Sequence, residues 1–317
     1  MDYSLGIIGV GVLGKAILES FIDINTIDIK CYDKYKTDNI LNNGINVYVS
    51  NIEKLYNCDI IFICLPTQYD TIKKEYNKTE IYNVIYELAL INYKGILLLK
   101  STVEPKTTYK LSQLYPQLNI IHNPEFLTAR TATNDFKTQK HIVLGIQEQE
   151  QEQDLENPAR KPSAKQDLEN PAHKPSVNNF METSDDRKTL QITYIKTFFE
   201  TYFKNAEISI CSSDESESMK IFCNSFYATK IQYFTEIKLL CDKMNIEYNN
   251  VINLMLKNGW INPMHTTIPG HDGKLSFGGS CLPKDINALG SLFNSMNVSS
   301  EVIQSVIKEN AIMRHFL

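Results

Sequence analysis

Short apolar runs alternate with longer amphipathic stretches over the first 145 residues of the chain. The apolar runs predict strands at Leu5–Gly9, Ile27–Tyr32, Ile45–Val49, Ile60–Cys64, Gly95–Lys100, Asn119–His122 and His141–Gly145. Between several of these runs the apolar residues recur at helical spacing, as in Leu13–Phe21 and Glu80–Ile91. Continuous Ile, Val and Leu strands separated by helices are typical of a doubly wound parallel sheet, so this half of the chain is predicted to be α/β.

Helical spacing dominates the second half of the chain. Leu190–Phe203 predicts a helix and Ala206–Cys211 a strand. Ser213–Lys243 contains neither Gly nor Pro, which predicts one helix of about 45 Å at a rise of about 1.5 Å per residue. Shorter helices are predicted at Val251–Leu256, Lys284–Asn294 and Ser300–His315. Residues 213–317 are therefore predicted to form an all-helical central domain, whose long helix spans between domains or between subunits.

A polar, repetitive segment at 147–187 interrupts these patterns. The decapeptide Asp154–Ser163 recurs at Asp167–Ser176, with Arg160 replaced by His173. Two copies of a polar unit that contains proline cannot build a core, so they predict a disordered insertion, either a tolerated loop expansion or a docking element. The predicted organisation is a dinucleotide-binding domain at 1–146, completed by 188–212 after the insertion, and then the helical domain at 213–317.

Composition narrows the classes of function. The 317 residues are 43% hydrophobic and carry a formal net charge of -5 without a basic block, which argues against nucleic acid as the main partner. No apolar run reaches the roughly 18 residues that span a membrane, and the N-terminus does not have a signal-peptide pattern. An odd number of cysteines, 7, without a C-x-x-C pair predicts a reducing cytoplasm and no metal site.

A glycine-rich turn points to a dinucleotide. Gly9-Val10-Gly11-Val12-Leu13-Gly14 follows an apolar strand, opens a helix and precedes Asp33 at the end of the next strand. In that Rossmann-type context Gly9 makes the turn, Gly11 admits the pyrophosphate and Gly14 packs helix on strand. Asp33 favours NAD over NADP, because its carboxylate repels a 2'-phosphate, while Lys34 and Lys36 weaken that preference. The alternative is a glycine turn without a ligand.

Cys281 stands apart from the other cysteines. Its neighbours are Gly, Ser, Pro, Lys and Asp, whereas the other six lie in apolar runs and are predicted to be small buried hydrophobes. Pro283 predicts a helix start, and both the helix N-terminus and Lys284 favour the thiolate, which is the nucleophilic form. Cys281 is therefore the candidate nucleophile.

Further segments extend the pattern along the chain. They are Pro66-Thr67, Lys100-Ser101-Thr102-Val103, Asn123-Pro124-Glu125-Phe126-Leu127, Lys220 with Asn224, and Phe277–Asp285. In this order, and together with the glycine turn, they resemble the UDP-glucose/GDP-mannose dehydrogenase family. They are most similar to its UDP-glucose 6-dehydrogenases.

The resemblance implies oxidation of the C6 hydroxyl of a nucleotide sugar to a carboxylate, as in UDP-glucose to UDP-glucuronate, with two NAD. Cys281 would trap the aldehyde as a thiohemiacetal that becomes a thioester. Lys220 and Asn224 would stabilise the oxyanion, Asp285 would orient or deprotonate water, and Glu125 would act as general base. Thr102 would bond to water or substrate. The implied homodimer packs along the central helix.

The implied binding residues fall into two sets. Cofactor contacts are expected from Gly9, Val10, Gly11, Val12, Leu13, Gly14, Asp33, Lys34, Pro66, Thr67 and Thr102. Substrate contacts are expected from Glu125, Phe126, Leu127, Lys220, Asn224, Phe277 and Gly278.

Three departures from the family pattern keep other functions open. Ala129 replaces a second glutamate, Trp260 replaces an arginine that reaches the neighbouring subunit, and the third domain that closes over the nucleotide is expected to be absent because the chain stops at Leu317. A degenerate paralogue that binds NAD or a family partner without turnover is the alternative function. A related dehydrogenase acting on another alcohol is the third.

Overall fold

The structure is a computed structural model that describes residues 3–36, 38, 40–42, 45–147 and 184–315. Both copies of the predicted repeat lie outside these residues. Within the described part of the chain, no helix combines the length and the hydropathy needed to cross a bilayer.

A seven-stranded sheet forms the first half of the molecule, in the order β11-β10-β9-β8-β5-β1-β2. Its strands are β1 Tyr3–Ile8, β2 Ile27–Tyr32, β5 Ile60–Ile63, β8 Ile96–Leu99, β9 Asn119–His122, β10 His141–Ile146 and β11 Glu207–Ser212. Two small hairpins accompany it: β3 Leu41–Asn42 with β4 Ile45–Asn46, and β6 Tyr69–Asp70 with β7 Glu75–Tyr76. The predicted doubly wound α/β class is confirmed.

Two details of the sheet differ from the prediction. β10 runs antiparallel to β9 and parallel to β11, so these two strands oppose the other five. An apolar run reads alike in both directions, so hydrophobic pattern alone cannot give strand direction. The predicted strand Ile45–Val49 is reduced to β4, after which Val47 and Val49 exchange backbone bonds with Cys31 at 2.7 and 2.8 Å.

The helices match the predicted pattern closely. Their bounds are α1 Val12–Phe21, α2 Thr79–Leu90, α3 Thr107–Leu114, α4 Ala132–Lys137, α5 Ser184–Tyr202, α6 Ser213–Lys243, α7 Tyr248–Lys257, α8 Leu282–Ser295 and α9 Glu301–His315, with a short 3-10 helix at Ile52–Leu55. Helix α5 begins six residues before the predicted Leu190. In it the Phe198 ring centre lies 5.2 Å from that of Phe199 and 5.3 Å from that of Tyr202.

Helices cover the parallel part of the sheet. Residues of α2 and α3 share one buried cluster with alternate strand residues such as Ile61, Ile63 and Leu97. The strand residues between these point to the opposite face. Helices α1 and α4 contact each other through Phe21 and Phe136, whose rings meet edge to face at 6.0 Å.

Helix α6 begins directly where the last strand ends. Ser212 caps it, because its hydroxyl accepts the Glu215 amide proton at 3.2 Å while the Glu215 carboxylate accepts the Ser212 amide proton at 2.9 Å. This capping box fixes the helix start at the predicted residue. From there the helix packs against α8 and α9, so it joins the dinucleotide half to the helical half.

The first turns of α6 carry a buried polar network. The Glu217 carboxylate accepts the amide protons of Thr107 and Thr108, at 3.2 and 2.8 Å, and the Thr108 hydroxyl proton at 2.6 Å, which caps α3. Burial raises the pKa of Glu217 to about 7. His122 lies alongside, with Nδ1 2.7 Å from Ser216 Oγ, and burial lowers its pKa to about 3.

The raised pKa of Glu217 predicts that the stability of the protein depends on pH. Its pKa is higher folded than unfolded, so its contribution is complete below about pH 4.5 and is lost as pH rises through about 7. Glu217→Gln removes this titration. The wild-type minus variant difference in unfolding free energy should therefore fall by up to about 3 kcal/mol between these pH values, measured by urea unfolding.

Glu215→Gln is the matched control on the same helix turn. Backbone and hydroxyl bonds from Ser212 lower the pKa of Glu215 from 4.5, so the wild-type minus Glu215→Gln difference in unfolding free energy should stay constant between these pH values and should decrease only as pH falls below about 4.5. A Glu217→Gln difference that stays flat over this pH range would contradict the assignment.

Candidate active site

One cleft joins the glycine turn to Cys281. It has a volume of about 730 Å³ and lies at the carboxyl ends of the parallel strands, where α/β folds bind ligands. The glycine-turn end is lined by Gly9, Gly11, Val12, Leu13, Asp33 and Lys34, and the middle by Pro66, Thr67, Lys100, Ser101 and Thr102. Glu125, Ser280, Cys281 and Lys284 line the far end. The glycine turn and Cys281, which lie near opposite ends of the sequence, therefore line the same cleft.

The three glycines of the turn have different surroundings. Gly9 has a φ of +88°, and a Cβ there would lie 2.7 Å from the Cys64 carbonyl oxygen. A Cβ on Gly14 would lie 2.0 Å from the Gly9 carbonyl oxygen, so helix and strand can pack closely only without it. A Cβ on Gly11 would meet nothing within 4 Å. The space in front of the α1 N-terminus is thus open, as a bound pyrophosphate requires.

Asp33 holds the glycine turn as well as lining the cleft. Its Oδ2 accepts the Val10 amide proton at 2.7 Å and its Oδ1 that of Tyr35 at 2.9 Å. Lys36 Nζ donates to the Val10 carbonyl at 2.6 Å, while Lys34 pairs with Glu80 at 3.7 Å. Each Asp33 oxygen keeps a lone pair for a ribose hydroxyl, so the residues present fit a dinucleotide.

Two strand ends are tied together in the middle of the cleft. The Thr67 hydroxyl donates to the Thr102 carbonyl at 2.6 Å, and the Ser101 hydroxyl donates to the Leu65 carbonyl at 2.7 Å. These bonds fix the loops after β5 and β8. Cys64 also lines the cleft, but burial raises its pKa to about 12, which leaves it a protonated thiol.

Lys220 connects α6 to the loop after β9. Its buried Nζ donates to the Glu125 backbone carbonyl and lies 3.6 Å from the Glu125 carboxylate. The same Nζ stands 4.6 Å from the centre of the Phe126 ring. The Glu125 carboxylate also accepts the Leu127 amide proton at 2.5 Å. Glu125 and Phe126 therefore contact one cation, and Leu127 is tied to this group through the Glu125 carboxylate.

Asp285 lies at the centre of a second group. Its side chain is 0% exposed, and it accepts a proton from Asn224 Nδ2 at 2.5 Å, from the Tyr76 hydroxyl at 2.6 Å and from Lys284 Nζ. Its amide donates to the Cys281 carbonyl at 3.0 Å. Cys281 itself is exposed at the start of α8, with Sγ 3.7 Å from Ser280 Oγ.

Among the predicted substrate residues, Glu125 lines the cleft, whereas Phe126, Leu127, Lys220, Asn224, Phe277 and Gly278 do not. Phe277 is buried in an apolar cluster with Ala228, Ile286 and Val306. Gly278 lies against Arg314, whose guanidinium carbon would be 2.9 Å from a Cβ at that position. Phe126 and Leu127 instead line a neighbouring cavity of about 370 Å³ with Met219, Cys223 and Tyr227.

Three residues of the site were given no role in the prediction from sequence. Lys100, within a quoted motif, donates its buried Nζ to Asn123 Oδ1 at 3.0 Å, and burial lowers its pKa to about 8. Its signal was a lysine directly after an apolar strand. Lys284 was noted only as a neighbour of Cys281. Tyr76 carried no local signal, because its partner Asp285 is 209 residues away.

The other cysteines and the two departures from the family pattern differ in their exposure to solvent. Of the other six cysteines, Cys31, Cys58 and Cys241 are buried, whereas Cys64, Cys211 and Cys223 are half-buried. Ala129 is exposed, and Trp260 is 91% exposed. Among the residues described, no three His, Cys, Asp or Glu side chains are grouped so that they could hold a metal ion.

Family models match both halves of the chain. Residues 5–158 match the NAD binding domain of the UDP-glucose/GDP-mannose dehydrogenase family, and residues 214–311 match the central domain of the same family.

Individual relatives are more distant. UDP-glucose 6-dehydrogenase of Campylobacter jejuni is 25% identical over 98% of this chain, and that of Rickettsia bellii is 27% identical over 88%. The chain spans 72% of the length of the first and 55% of the second.

Solved structures share the fold. A UDP-glucose dehydrogenase of Pyrobaculum islandicum gives a TM-score of 0.74 at 17% identity, with 98% of this chain and 68% of that chain covered. A 3-hydroxyisobutyrate dehydrogenase of Mycobacterium tuberculosis gives 0.67 at 10% identity, with 98% and 93% covered.

The charge of Asp33 is predicted to set cofactor preference. Asp33→Asn keeps an oxygen for the Val10 amide but removes the charge that repels a 2'-phosphate. Affinity for NADP relative to NAD should therefore rise on the order of tenfold, measured by calorimetric titration of both cofactors. Asp28→Asn, on strand β2 just before Asp33 but outside the cleft, should leave the ratio unchanged. Preference of the wild type for NADP would show that this interpretation of Asp33 is wrong.

Proposed function

The chain belongs to the UDP-glucose/GDP-mannose dehydrogenase family, and we propose that it oxidises the C6 hydroxyl of a nucleotide sugar to a carboxylate with NAD. The observation that carries the proposal is the single cleft, because it holds a dinucleotide turn at one end and an exposed cysteine beside Lys284 at the other. UDP-glucose, with UDP-glucuronate as product, is the first candidate substrate, since the relatives cited above are named for it.

The glycine turn, Asp33 and the Thr67–Thr102 pair would hold NAD along the cleft. When bound, NAD accepts the hydride in each of two oxidation steps, so two NAD are consumed for each carboxylate formed. Gly11 leaves the open volume for the phosphates, and the buried strand ends exclude water from one side. Pro66, Thr67 and Thr102 line the middle of the cleft and would contact the bound cofactor there.

Cys281 supplies covalent catalysis in this proposal. Its sulfur adds to the C6 aldehyde carbon, and the former carbonyl oxygen becomes the hydroxyl of a thiohemiacetal. Loss of a hydride and a proton leaves a thioester, and attack by water breaks the carbon–sulfur bond to release the carboxylate and regenerate the thiol. Cys281 suits this role because it is exposed and lines the cleft, whereas Cys64 is a half-buried, protonated thiol.

The charged residues around Cys281 have distinct proposed roles. Lys220 and Asn224 stabilise the oxyanion, since both project from one face of α6. Glu125, paired with Lys220, is the general base, and Thr102 bonds to water or to the substrate. Asp285 would orient water through Oδ2, which accepts from Asn224, whereas Oδ1 already accepts from both Tyr76 and Lys284.

The substrate would lie against the Glu125 loop. Glu125 and Phe126 contact Lys220, and Phe126 with Leu127 lines the adjoining cavity. Phe277 and Gly278 support the cysteine loop from behind rather than the sugar.

A non-catalytic paralogue remains the second candidate. Ala129 cannot supply the carboxylate that the family pattern places there, and Trp260 stands where the pattern has a cation. Such a protein would bind NAD, or a family partner, and produce no NADH with any sugar.

NADH production against a panel of UDP- and GDP-sugars tests the proposal. UDP-glucose should give the largest rate, with two NADH formed for each sugar consumed and a carboxylate product found by mass spectrometry. NAD binding without NADH from any sugar would favour the non-catalytic paralogue instead.

Cys281→Ser is predicted to lower carboxylate formation by at least about a hundredfold, because a neutral hydroxyl is a far weaker nucleophile than a thiolate. NAD affinity should persist, since the glycine turn is untouched. Cys211→Ser, a half-buried cysteine on β11, is the control and should keep wild-type turnover. Unchanged turnover in the Cys281 variant would eliminate the covalent mechanism.

A homodimer packed along α6 is also proposed. The helix exposes Phe222, Phe226, Tyr233, Leu240 and Met244 at the C-cap, with between 49% and 62% of each residue accessible. Their spacing places them along one side of the helix, and exposed apolar surface of this extent marks association sites. Trp260, 91% exposed, would add apolar contact at the interface.

Phe226→Asp is predicted to weaken this dimer by tenfold or more, on the order of the cost of placing an unpaired charge in an apolar contact. Light scattering at several concentrations measures the mass. Leu90→Asp, an exposed leucine on α2, should leave the mass unchanged. A wild-type protein that stays monomeric at every concentration would refute the interface.

The cytoplasm is the proposed location. All seven cysteines have free thiols, and a reducing compartment keeps Cys281 in that state.

A further inference from the structure

Two tyrosines of one hairpin reach the cysteine-bearing helix. Tyr69 on β6 and Tyr76 on β7 belong to the dinucleotide half, and their rings meet edge to face at 6.5 Å. The Tyr69 hydroxyl lies 2.5 Å from Ser291 Oγ, and the Tyr76 hydroxyl donates to Asp285 Oδ1 at 2.6 Å. Both contacts fall on α8, but only that of Tyr76 reaches the group around Cys281.

Tyr76 contacts both members of the Lys284–Asp285 pair. Its hydroxyl bonds to the carboxylate, and its ring centre lies 4.6 Å from Lys284 Nζ, a cation–π distance. Lys284 in turn bonds to Asp285 and lines the cleft with Cys281. Through these contacts one buried tyrosine sets the position of a cation and an anion at the reacting end of the cleft.

The tyrosine is itself held firmly. Its backbone amide donates to Glu104 Oε1 at 2.5 Å, and Lys78 pairs with the same carboxylate at 2.7 Å. The base of the hairpin is closed by the bond from the Asn77 amide to the Gln68 carbonyl at 2.7 Å, and Gln68 lines the cleft. The hydroxyl therefore has little freedom to leave Asp285.

Tyr76 is a donor rather than an acid. Burial, reinforced by the neighbouring Asp285 carboxylate, raises the pKa of Tyr76 far above its ordinary range, so the hydroxyl keeps its proton. A group that never gives up its proton cannot take part in proton transfer. Its effect on chemistry must pass through Asp285.

We infer that Tyr76 is a positioning residue for the reaction: its hydroxyl fixes Asp285, and through it Asn224 and Lys284, around Cys281. The inference rests on the proposed function for its catalytic part. Its structural part, that Tyr76 acts through Asp285, stands on the contacts alone. Because its backbone is bonded to Glu104 in the dinucleotide half and its ring packs against Ile221, Ala288 and Leu289 in the helical half, Tyr76 holds the two halves of the site in register.

Tyr76→Phe and Tyr69→Phe form a matched pair. Each removes one hydroxyl from the same hairpin and one bond to the same helix, but the loss of thermal stability should be larger for Tyr76→Phe, because its bond goes to a charged group. Tyr76→Phe should lower kcat on the order of tenfold to a hundredfold, the value of one bond to a charged group, with NAD affinity unchanged. Tyr69→Phe should keep kcat within about twofold.

Equal kcat in the wild type and Tyr76→Phe would overturn the inference, as would equal losses in both variants, which indicate a purely structural brace. An inactive wild type would instead refute the proposed function, and a second measurement then decides the inference. Thermal unfolding of Tyr76→Phe, Asp285→Asn and the double variant should give non-additive shifts in Tm, whereas Tyr69→Phe with Asp285→Asn should be additive. Additive shifts in both cycles would overturn it.

Discussion

A buried carboxylate that needs three donors is the constraint on which the site depends. Asp285 is fully enclosed, and an enclosed charge is costly unless it is hydrogen-bonded, so Asn224 from α6, Tyr76 from the β6–β7 hairpin and Lys284 from α8 must all converge on it. Each donor comes from a different element. The position of Cys281 relative to the dinucleotide turn follows from this convergence, because α8 cannot shift without leaving the carboxylate unsatisfied.

Helix α6 provides the second link between the two halves. Its capped start at the last strand, the Glu217 bonds to α3 and the Lys220 contact with Glu125 all lie within its first two turns. Because one continuous helix carries all these contacts and Asn224, the edge of the sheet fixes where Asn224 lies and, through its bond to Asp285, where α8 lies. The cleft needs no separate hinge to bring a cofactor turn and a thiol into one space.

The sequence predicted these elements where the cause was local. Ser213–Lys243 was bounded correctly because the stretch contains neither Gly nor Pro, and the glycine turn was placed by its strand and helix. The direction of β10 and the burial of Phe277 were missed, since each depends on residues distant in the chain. Tyr76 was missed for the same reason. Its role comes from an aspartate that only the fold brings near, and a lone tyrosine in a polar hairpin gives no signal of that.

Gly11 and Gly14 have different surroundings, so they differ in whether a substitution would be tolerated in a chain that no longer binds a dinucleotide. Gly9 and Gly14 are demanded by the backbone itself, so a copy that had ceased to bind a dinucleotide would still be obliged to keep them. Gly11 faces empty volume at an ordinary φ of -76°, and folding alone would tolerate a side chain there. Its presence is therefore a record of ligand use rather than of architecture, and of the three glycines it alone tells a working turn from a vestige.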